Sequence, residues 1–357
     1  MQEIKITLTK NKKPLPDMST VTFGTVFTDH MFVMDYDKGE GWHDPRIEPY
    51  APFELMPSAS VLHYSQTLFE GLKAYYDPNG EIRLFRPQRN FARLNSSGDR
   101  ICVPHIDEEF ALEALLTLVD IERRWVPKEE GQSLYIRPFV ISMDQTLGVH
   151  PATHFRFFII LCPVASYYKG GLAPTNIMVE PKYVRAVKGG TGHTKIGGNY
   201  AASLKGQEEA ARLGYEQVLW LDGIHHKYVE EVGSMNIMFK IGGKIVTPEL
   251  NGSILPGVTR DSIITIAKSL NIPVVEKRIA VDEIFEAADN GTLEEVFGTG
   301  TAAVISPVGE LRYDDKIAVV NDRKIGPTAQ LLYDTLTGIQ YGKIEDKFGW
   351  SVIVPKK

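Results

Sequence analysis

Apolar and polar positions change their period several times along the chain, and the changes mark out its elements. Residues 22–36 alternate around Phe23, Val26 and Phe32-Val-Met, the two-residue period of a half-buried strand, with Gly24 as a bend or bulge. Residues 72–76 and 82–86 flank Asp77-Pro-Asn-Gly80, a hairpin signal. Pro87 can open a helix carrying Phe91 and Leu94. Residues 107–125 then hold Phe110, Leu115, Leu118, Val119 and Ile121 at helical spacing, ending near Trp125-Val-Pro. Two apolar runs, 134–143 and 155–164, complete an N-terminal α+β domain.

Ala165-Ser-Tyr-Tyr-Lys-Gly-Gly-Leu-Ala-Pro174 follows, with two glycines and a proline ahead of a new apolar stretch at 176–179. That composition predicts an interdomain linker. The expected division is a domain over 1–165, a linker over 166–175 and a second domain over 176–357. In the second domain, a helix over 201–213 ends at Gly214, and strands cover 217–221 and parts of 237–246 around a Gly242-Gly243 turn. A helix over 258–270 puts Ile263, Ile264, Ala267 and Leu270 on one face. Strand, helix and strand follow at 273–279, 281–288 and 294–298, and a last helix covers 327–340. The pattern predicts a mixed α/β, two-domain chain without internal repeats.

Composition narrows the function classes. At 357 residues, two domains are the natural prior, and 43% hydrophobic with 24% charged residues is an ordinary globular balance. A net charge of −6 argues against nucleic acid as the partner, so any anion site is local. Two cysteines, Cys102 and Cys162, are too few for a disulfide framework and fit a reducing compartment. The start, Met-Gln-Glu-Ile-Lys-Ile, resembles neither a signal peptide nor a transit sequence, which makes a cytoplasmic location the expectation. The most apolar run, 157–165, contains Pro163 and falls far short of the ~20 residues of a membrane span. No metal motif stands out. His225-His226 lies in a polar turn after Asp222-Gly223, where solvated histidines are the expectation.

The chemical centre is Lys195, within Val184-Arg-Ala-Val-Lys-Gly-Gly-Thr-Gly-His-Thr-Lys-Ile-Gly-Gly-Asn-Tyr-Ala-Ala-Ser-Leu204. Five glycines crowd around it, so the backbone takes conformations closed to other residues and presents one amine. A lysine desolvated in such a pocket can attack a carbonyl. A nucleotide loop is excluded on spacing: Lys195 is preceded by threonine and followed by isoleucine, where Gly-Lys-Ser/Thr is required.

Lys195-Ile-Gly-Gly-Asn-Tyr200 resembles the cofactor-lysine motif of the branched-chain amino acid aminotransferases, pyridoxal-phosphate enzymes of fold type IV, and in particular the longer subgroup that includes the animal enzymes. Similar blocks recur in the family's order at Phe27-Thr-Asp-His-Met31, His63-Tyr-Ser through Leu68-Phe-Glu-Gly-Leu-Lys-Ala74, Arg83-Leu-Phe-Arg-Pro87, Tyr135-Ile-Arg-Pro138, Glu231-Val-Gly-Ser-Met-Asn236, Ile254-Leu-Pro-Gly-Val258 and Gly298-Thr-Gly-Thr-Ala302. The resemblance therefore spans nearly the whole chain.

The resemblance implies pyridoxal 5'-phosphate as cofactor, with roles for named residues. Lys195 takes the cofactor aldehyde and, once displaced by substrate, carries the proton between the substrate α-carbon and cofactor C4′. Glu231 faces the ring nitrogen; the alternative reading makes it half of a surface acid pair with Glu230. Arg93 is the phosphate arginine, ahead of its neighbours Arg86, Arg89 and Arg100. Tyr200, Ser234, Leu255, Gly257, Val258, Thr259 and Thr299 complete the cofactor set, helped by the anion affinity of helix starts and glycine-rich turns.

The implied substrate pocket has Phe23, Phe69 and Tyr135 as walls, Tyr167 closing from the linker, and Tyr64 with the Thr301 and Ala302 backbone on the α-carboxylate. Arg137, on the face of Tyr135, places Tyr64 or meets an acidic side chain. Leu147-Gly-Val149 reaches the neighbouring subunit's pocket, so the expected active unit is a homodimer. The implied reaction carries the amino group of leucine, isoleucine or valine to 2-oxoglutarate, giving glutamate. D-amino acid aminotransferase, aminodeoxychorismate lyase and a non-catalytic pyridoxal-phosphate binder are the rivals. One departure stands out: where many animal-type relatives carry Cys-x-x-Cys, this chain has Ala303 and Ser306.

Overall fold

The computed structural model describes residues 2–166 and 172–356. The chain divides into two compact units, Met1–Ser166 with Thr194–Gly197 and Ile339–Lys357, and Tyr167–His193 with Gly198–Gly338. The short segment that contains Lys195 thus groups with the first unit rather than with the residues on either side of it. Among the described residues, no helix is long and apolar enough to cross a membrane.

In the first unit the strands are β1 (Lys5–Ile6), β2 (His30–Asp37), β3 (Gly41–Pro49), β4 (Thr67–Phe69), β5 (Leu72–Tyr76), β6 (Ile82–Phe85), β7 (Ser133–Ser142) and β8 (His154–Val164), with Ser351–Ile353 near the C-terminus. They form one sheet in the order β1-β3-β2-β8-β7-β5-β6 and then Ser351–Ile353, with β4 beside β7. Helices α1 (Ser60–Tyr64), α2 (Pro87–Arg100) and α3 (Glu108–Ile121) complete the unit. Pro87 occupies the first turn of α2, where its missing N–H costs nothing, and the Asp107 side chain caps α3 by accepting from Phe110 N at 2.9 Å. Phe91 and Leu94 of α2 and Leu115 and Leu118 of α3 pack with Phe32 and Phe157 of the sheet into one apolar core.

Three expectations change here. The strand expected over 22–36 is β2, which begins at His30, because residues 22–25 close a turn through Gly24 at φ +71°. Strand β3 went unforeseen because Pro45 interrupts its pattern. The pairing with β2 shifts register between Val33 and Asp35, and Asp44 takes φ +49°, an irregularity that accommodates the proline. The helix expected to reach Trp125 stops at Ile121, and a 3-10 turn covers Arg123–Trp125. Glu122, at that junction, is buried and bonded to His30.

The second unit holds β9 (Thr175–Val179), β10 (Gln217–Leu221), β11 (Val229–Val232), β12 (Met235–Ile241), β13 (Lys244–Thr247), β14 (Val274–Glu276), β15 (Leu293–Gly300), β16 (Val304–Tyr313) and β17 (Lys316–Val319), with α4 (Gly197–Arg212), α5 (Val258–Ser269), α6 (Val281–Asp289) and α7 (Pro327–Gln340). The order β11-β10-β9-β16-β15-β12 closes on itself, since β12 also pairs with β11; β13 and β14 extend from β12, and β17 from β16. Ile177, Leu219, Ile237, Phe239 and Leu311 fill the core together with Ile284 of α6. A methyl group on Gly206 of α4 would come 2.7 Å from the Trp220 ring, so glycine is what lets helix and ring meet. The strand expected over 273–279 shrinks to Val274–Glu276. Strand β16 went unforeseen, its apolar run being broken by Pro307 and Gly309.

Candidate functional site

In the first unit, Lys195 is fixed through its backbone. Phe69 N donates to Lys195 O and Lys195 N donates to Ser97 Oγ, both at 3.0 Å, while Ile196 bridges Leu68. The amine lies 4.8 Å from the centroid of the Phe69 ring. Beside it, Glu70 is fully buried and takes both arms of Arg93, Nε at 2.7 Å and Nη2 at 2.8 Å, with Asn90 Nδ2 at 2.8 Å. Burial alone would raise the Glu70 carboxyl, but the Arg93 guanidinium, with Lys195 and Asn90, outweighs it and holds the group below the usual carboxylate range. Of the competing arginines, Arg86 lies over the Trp350 ring at 4.7 Å, and Arg89 and Arg100 are exposed; Arg93 alone of the four is buried.

The expected pocket wall is contiguous within this unit. Arg137 lies 4.6 Å from the Phe69 ring centroid and donates through Nη2 to the Tyr135 hydroxyl at 3.0 Å, and Phe23 meets Tyr135 edge-on at 4.9 Å. A methyl group on Gly71 would fall 2.1 Å from the Tyr135 hydroxyl, so the phenol needs that glycine. Arg137 Nε is buried without a hydrogen-bond partner. Lys73 and Cys162 pair with Tyr135 from the strands on either side, and burial pushes the lysine down to about 8 and the thiol up to about 11. Tyr64 is exposed and donates to Leu147 O; Leu147 and Val149 are exposed at 64% and 81%. Tyr167 lies outside the described residues.

In the second unit, strand register does the positioning. Glu231 of β11 pairs with Asn236 of β12, which pairs with Thr299 of β15, so three side chains stand in a row on one face. Glu231 is 3% exposed. Its Oε1 accepts from Leu255 N at 2.8 Å and Asn236 Nδ2 at 3.3 Å, and its Oε2 forms an ion pair with Arg185 Nε at 2.8 Å. Arg185 is itself held by the carbonyls of Gly192, at 3.1 Å, and Ser253. A methyl group on Gly257 would sit 2.0 Å from Asn236 Oδ1, which brings the start of α5 against the same row. No side chain caps that helix, whose first residues are Val258 and Thr259. The Thr299 hydroxyl is buried with no hydrogen-bond partner.

Other expected members lie in the same unit. Tyr200 is half-buried on α4, Ser234 is exposed in the turn between β11 and β12, and Thr301 and Ala302 are half-buried in the turn after β15. Glu231 and Glu230 do not form a surface acid pair, for Glu230 too is buried. It is 2% exposed and bonds to Ser253 and Asn251 on the opposite strand face from Glu231, with its carboxyl pushed up by burial. The arrangement suits the cofactor that the resemblance implies. A buried carboxylate backed by an arginine matches a ring N–H, and an unspent hydroxyl beside an uncapped helix start matches a phosphate. Glu70, Asn90, Ser97, Arg185 and Asn236 were not anticipated as members; each lies inside or close to a motif block, but the partners of the first four are distant in sequence, and Asn236 meets Glu231 across a hairpin.

A model of the family described as amino-transferase class IV matches residues 67–311. The chain is 56% identical over 353 residues to branched-chain-amino-acid aminotransferase 2 of Bacillus subtilis (strain 168), covering 99% of this chain and 97% of that protein. Among solved structures it is similar to the branched-chain amino acid aminotransferase of Escherichia coli, with TM-score 0.75 and 27% identity over 92% of this chain and 99% of that one. It is also similar to the T.th. branched-chain amino acid aminotransferase complexed with N-(5'-phosphopyridoxyl)-L-glutamate, with TM-score 0.73 and 25% identity over 90% and 98%.

Proposed function

This chain belongs to the class IV aminotransferases, and from that premise we propose that it carries the amino group of leucine, isoleucine or valine to 2-oxoglutarate, leaving a branched-chain 2-oxo acid and glutamate. Pyridoxal 5'-phosphate, when bound, supplies the aldehyde that takes the amino group and a ring that accepts electrons. The observation that carries the reading is the row Glu231–Asn236–Thr299, with Arg185 behind its acid and the uncapped start of α5 beside it.

Lys195 provides the amine for the aldehyde and then moves the proton at the substrate α-carbon; its backbone bonds to Phe69 and Ser97 hold the loop that aims it. Glu231, ion-paired with Arg185 at 2.8 Å, would hold a proton on the ring nitrogen. Arg93, braced by Glu70, and the Thr299 hydroxyl, with the Val258 and Thr259 backbone and Tyr200, hold the phosphate, while Ser234, Leu255 and Gly257 shape its surroundings. Phe23, Phe69 and Tyr135 pack apolar side chains, and Tyr167 closes over them. Arg137 meets the acidic side chain of the second substrate, and Tyr64 with the Thr301 and Ala302 backbone grips the α-carboxylate. The exposed Leu147 and Val149 support a homodimer in which they complete the partner's pocket. Cysteine usage supports a cytoplasmic location.

The test is a panel of amino donors against 2-oxoglutarate, read as glutamate formed. Leucine, isoleucine and valine should lead it. Turnover confined to D-amino acids, or none with a full complement of bound cofactor, defeats the reading.

A further inference from the structure

Lys13 and Asp29 meet in the first unit, and the chain between them forms no helix or strand. Lys13 N donates to Asp29 Oδ1 at 2.8 Å, and the Lys13 amine donates to Thr28 O at 2.9 Å and Phe27 O at 3.3 Å. Arg124 closes the junction from the 3-10 turn. Its Nη2 donates to Lys13 O at 2.7 Å and to Asp29 Oδ2 at 2.6 Å, and Trp125 Nε1 donates to the same carboxylate oxygen at 3.0 Å. Asp29 is 4% exposed; burial alone would raise its carboxyl, but Arg124, the Lys13 amide and Trp125 outweigh it and hold the group below the usual carboxylate range. Lys13 also lies 4.7 Å from the centroid of the Tyr50 ring, on which Phe27 stacks at 5.0 Å. Residues 14–28 are therefore an Ω loop, long in chain and short between its ends.

The ends of this loop are tied and its tip is not. Among the described residues, 14–25 hydrogen-bond only to one another, as in Ser19 N to Asp17 Oδ1 at 2.9 Å and Thr25 N to Thr22 O at 3.3 Å. Phe23, at the tip, is 51% exposed and meets the Tyr135 ring edge-on at 4.9 Å, while the Gly24 N–H faces the sulfur of Cys162, the cross-strand neighbour of Tyr135. One edge-on ring contact is a weak fastening, so the place of Phe23 is set from the base. Pro14 and Pro16 fix φ in the arm above Lys13 and carry that constraint outward.

We propose that residues 14–28 form a flap whose tip, Phe23, sets the fit of the pocket to the amino donor's side chain, and that Asp29 and Arg124 are the positioning residues that hold it. The inference rests on the reading that Phe23 walls the substrate pocket. Asp29 and Arg124 act through the loop ends, so a donor long enough to reach Phe23 gains from the clamp and a short one does not. Asp29 sits in a motif block, whereas Arg124 lies far along the chain, which hid the clamp from the sequence.

Hydrogen exchange of the cofactor-loaded protein, read on peptides within 14–28, tests the clamp without any substrate. Arg124→Gln removes a donor to a buried carboxylate, so exchange there should quicken at least roughly tenfold, with α2 and the absorbance titration of pyridoxal 5'-phosphate as in the parent. Kinetics then compare leucine with 2-aminobutyrate, a shorter apolar donor. The ratio of their kcat/KM values should fall roughly tenfold in Phe23→Ala and in Arg124→Gln. It should fall no further in the double variant, because both changes act through one ring. An arginine with a purely structural role would lower both donors alike. Lys13→Met, on the exposed side of the clamp, keeps the test available if Arg124→Gln does not fold. Unchanged exchange in either variant defeats the clamp, and a ratio that is unmoved, or that falls additively in the double variant, defeats the flap. A parent that uses no branched-chain donor defeats the functional reading, and the flap's role with it, whatever the exchange shows.

Discussion

Thr299 offers a prediction whose sign differs between the cofactor-free and loaded protein. Its hydroxyl is buried and unpartnered, on a residue only 1% exposed. An unpaired buried hydroxyl costs about 1–3 kcal/mol. Thr299→Val keeps the branched shape that suits a strand and replaces the hydroxyl by a methyl, so the cofactor-free protein should become more stable by about that amount. For a chain of this size, at about 2.1 cal/mol/K of unfolding entropy per residue, each kcal/mol shifts the melting temperature by about 1–2 °C. With the phosphate in place the same hydroxyl donates to a charged acceptor, an interaction of about 1.5–3 kcal/mol. At about 1.4 kcal/mol per tenfold, losing it should weaken cofactor binding about 10- to 100-fold. Scanning fluorimetry of the cofactor-free protein and an absorbance titration with pyridoxal 5'-phosphate read the two effects separately. A variant that melts lower without cofactor and binds it unchanged would refute both the orphaned hydroxyl and its place at the phosphate.

Borohydride treatment of the loaded protein should fix the cofactor to Lys195, and peptide mapping that finds it on Lys182, Lys188 or Lys205 would remove that lysine from the mechanism. Glu231→Gln should still bind cofactor but slow α-proton removal, because an amide facing Arg185 cannot hold a proton on the ring nitrogen; undiminished turnover would move the role to another acid. The Glu70 carboxyl sits below its ordinary value near 4.5, so its stabilising share is full above that pH and is lost as pH falls through the lower, folded value. Urea unfolding should therefore show Glu70→Gln destabilised by about 3–5 kcal/mol at pH 7, with the gap closing below about pH 4.5; a gap independent of pH would show that the pair contributes through packing alone. Mild peroxide should leave activity unchanged, since Ala303 and Ser306 carry no thiol and the buried Cys162 is pushed up to about 11. Cys102 is exposed, so a peroxide effect reversed by dithiothreitol and abolished by Cys102→Ser would reveal a different switch.

What could be read from the sequence and what could not differ in range. Lys195 stands out because five glycines crowd its own loop, and Gly257 and Glu231 because each belongs to a short motif; local chemistry is visible in a local string. Glu70 and Arg93 are no less fixed, yet they come from a strand edge and a helix, and no periodicity links them. Strands β3 and β16 were hidden for a local reason, Pro45 and Pro307 standing where an alternating pattern should run. The row Glu231–Asn236–Thr299 is the strongest case. Glu231 and Asn236 are hairpin neighbours, but Thr299 joins them only because β15 pairs with β12 in one register. A slip of one residue would turn Thr299 to the other face and bring Gly298 or Gly300, which have no side chain to offer an anion, into its place. The glycines on either side of Thr299 also admit Met235 atoms to within 2.9 and 3.0 Å of where a methyl group would stand, so a bulkier residue at either would strain the pairing. The closed sheet therefore places the Thr299 hydroxyl, the proposed phosphate donor, through its register, and the flanking glycines keep that register open to Met235.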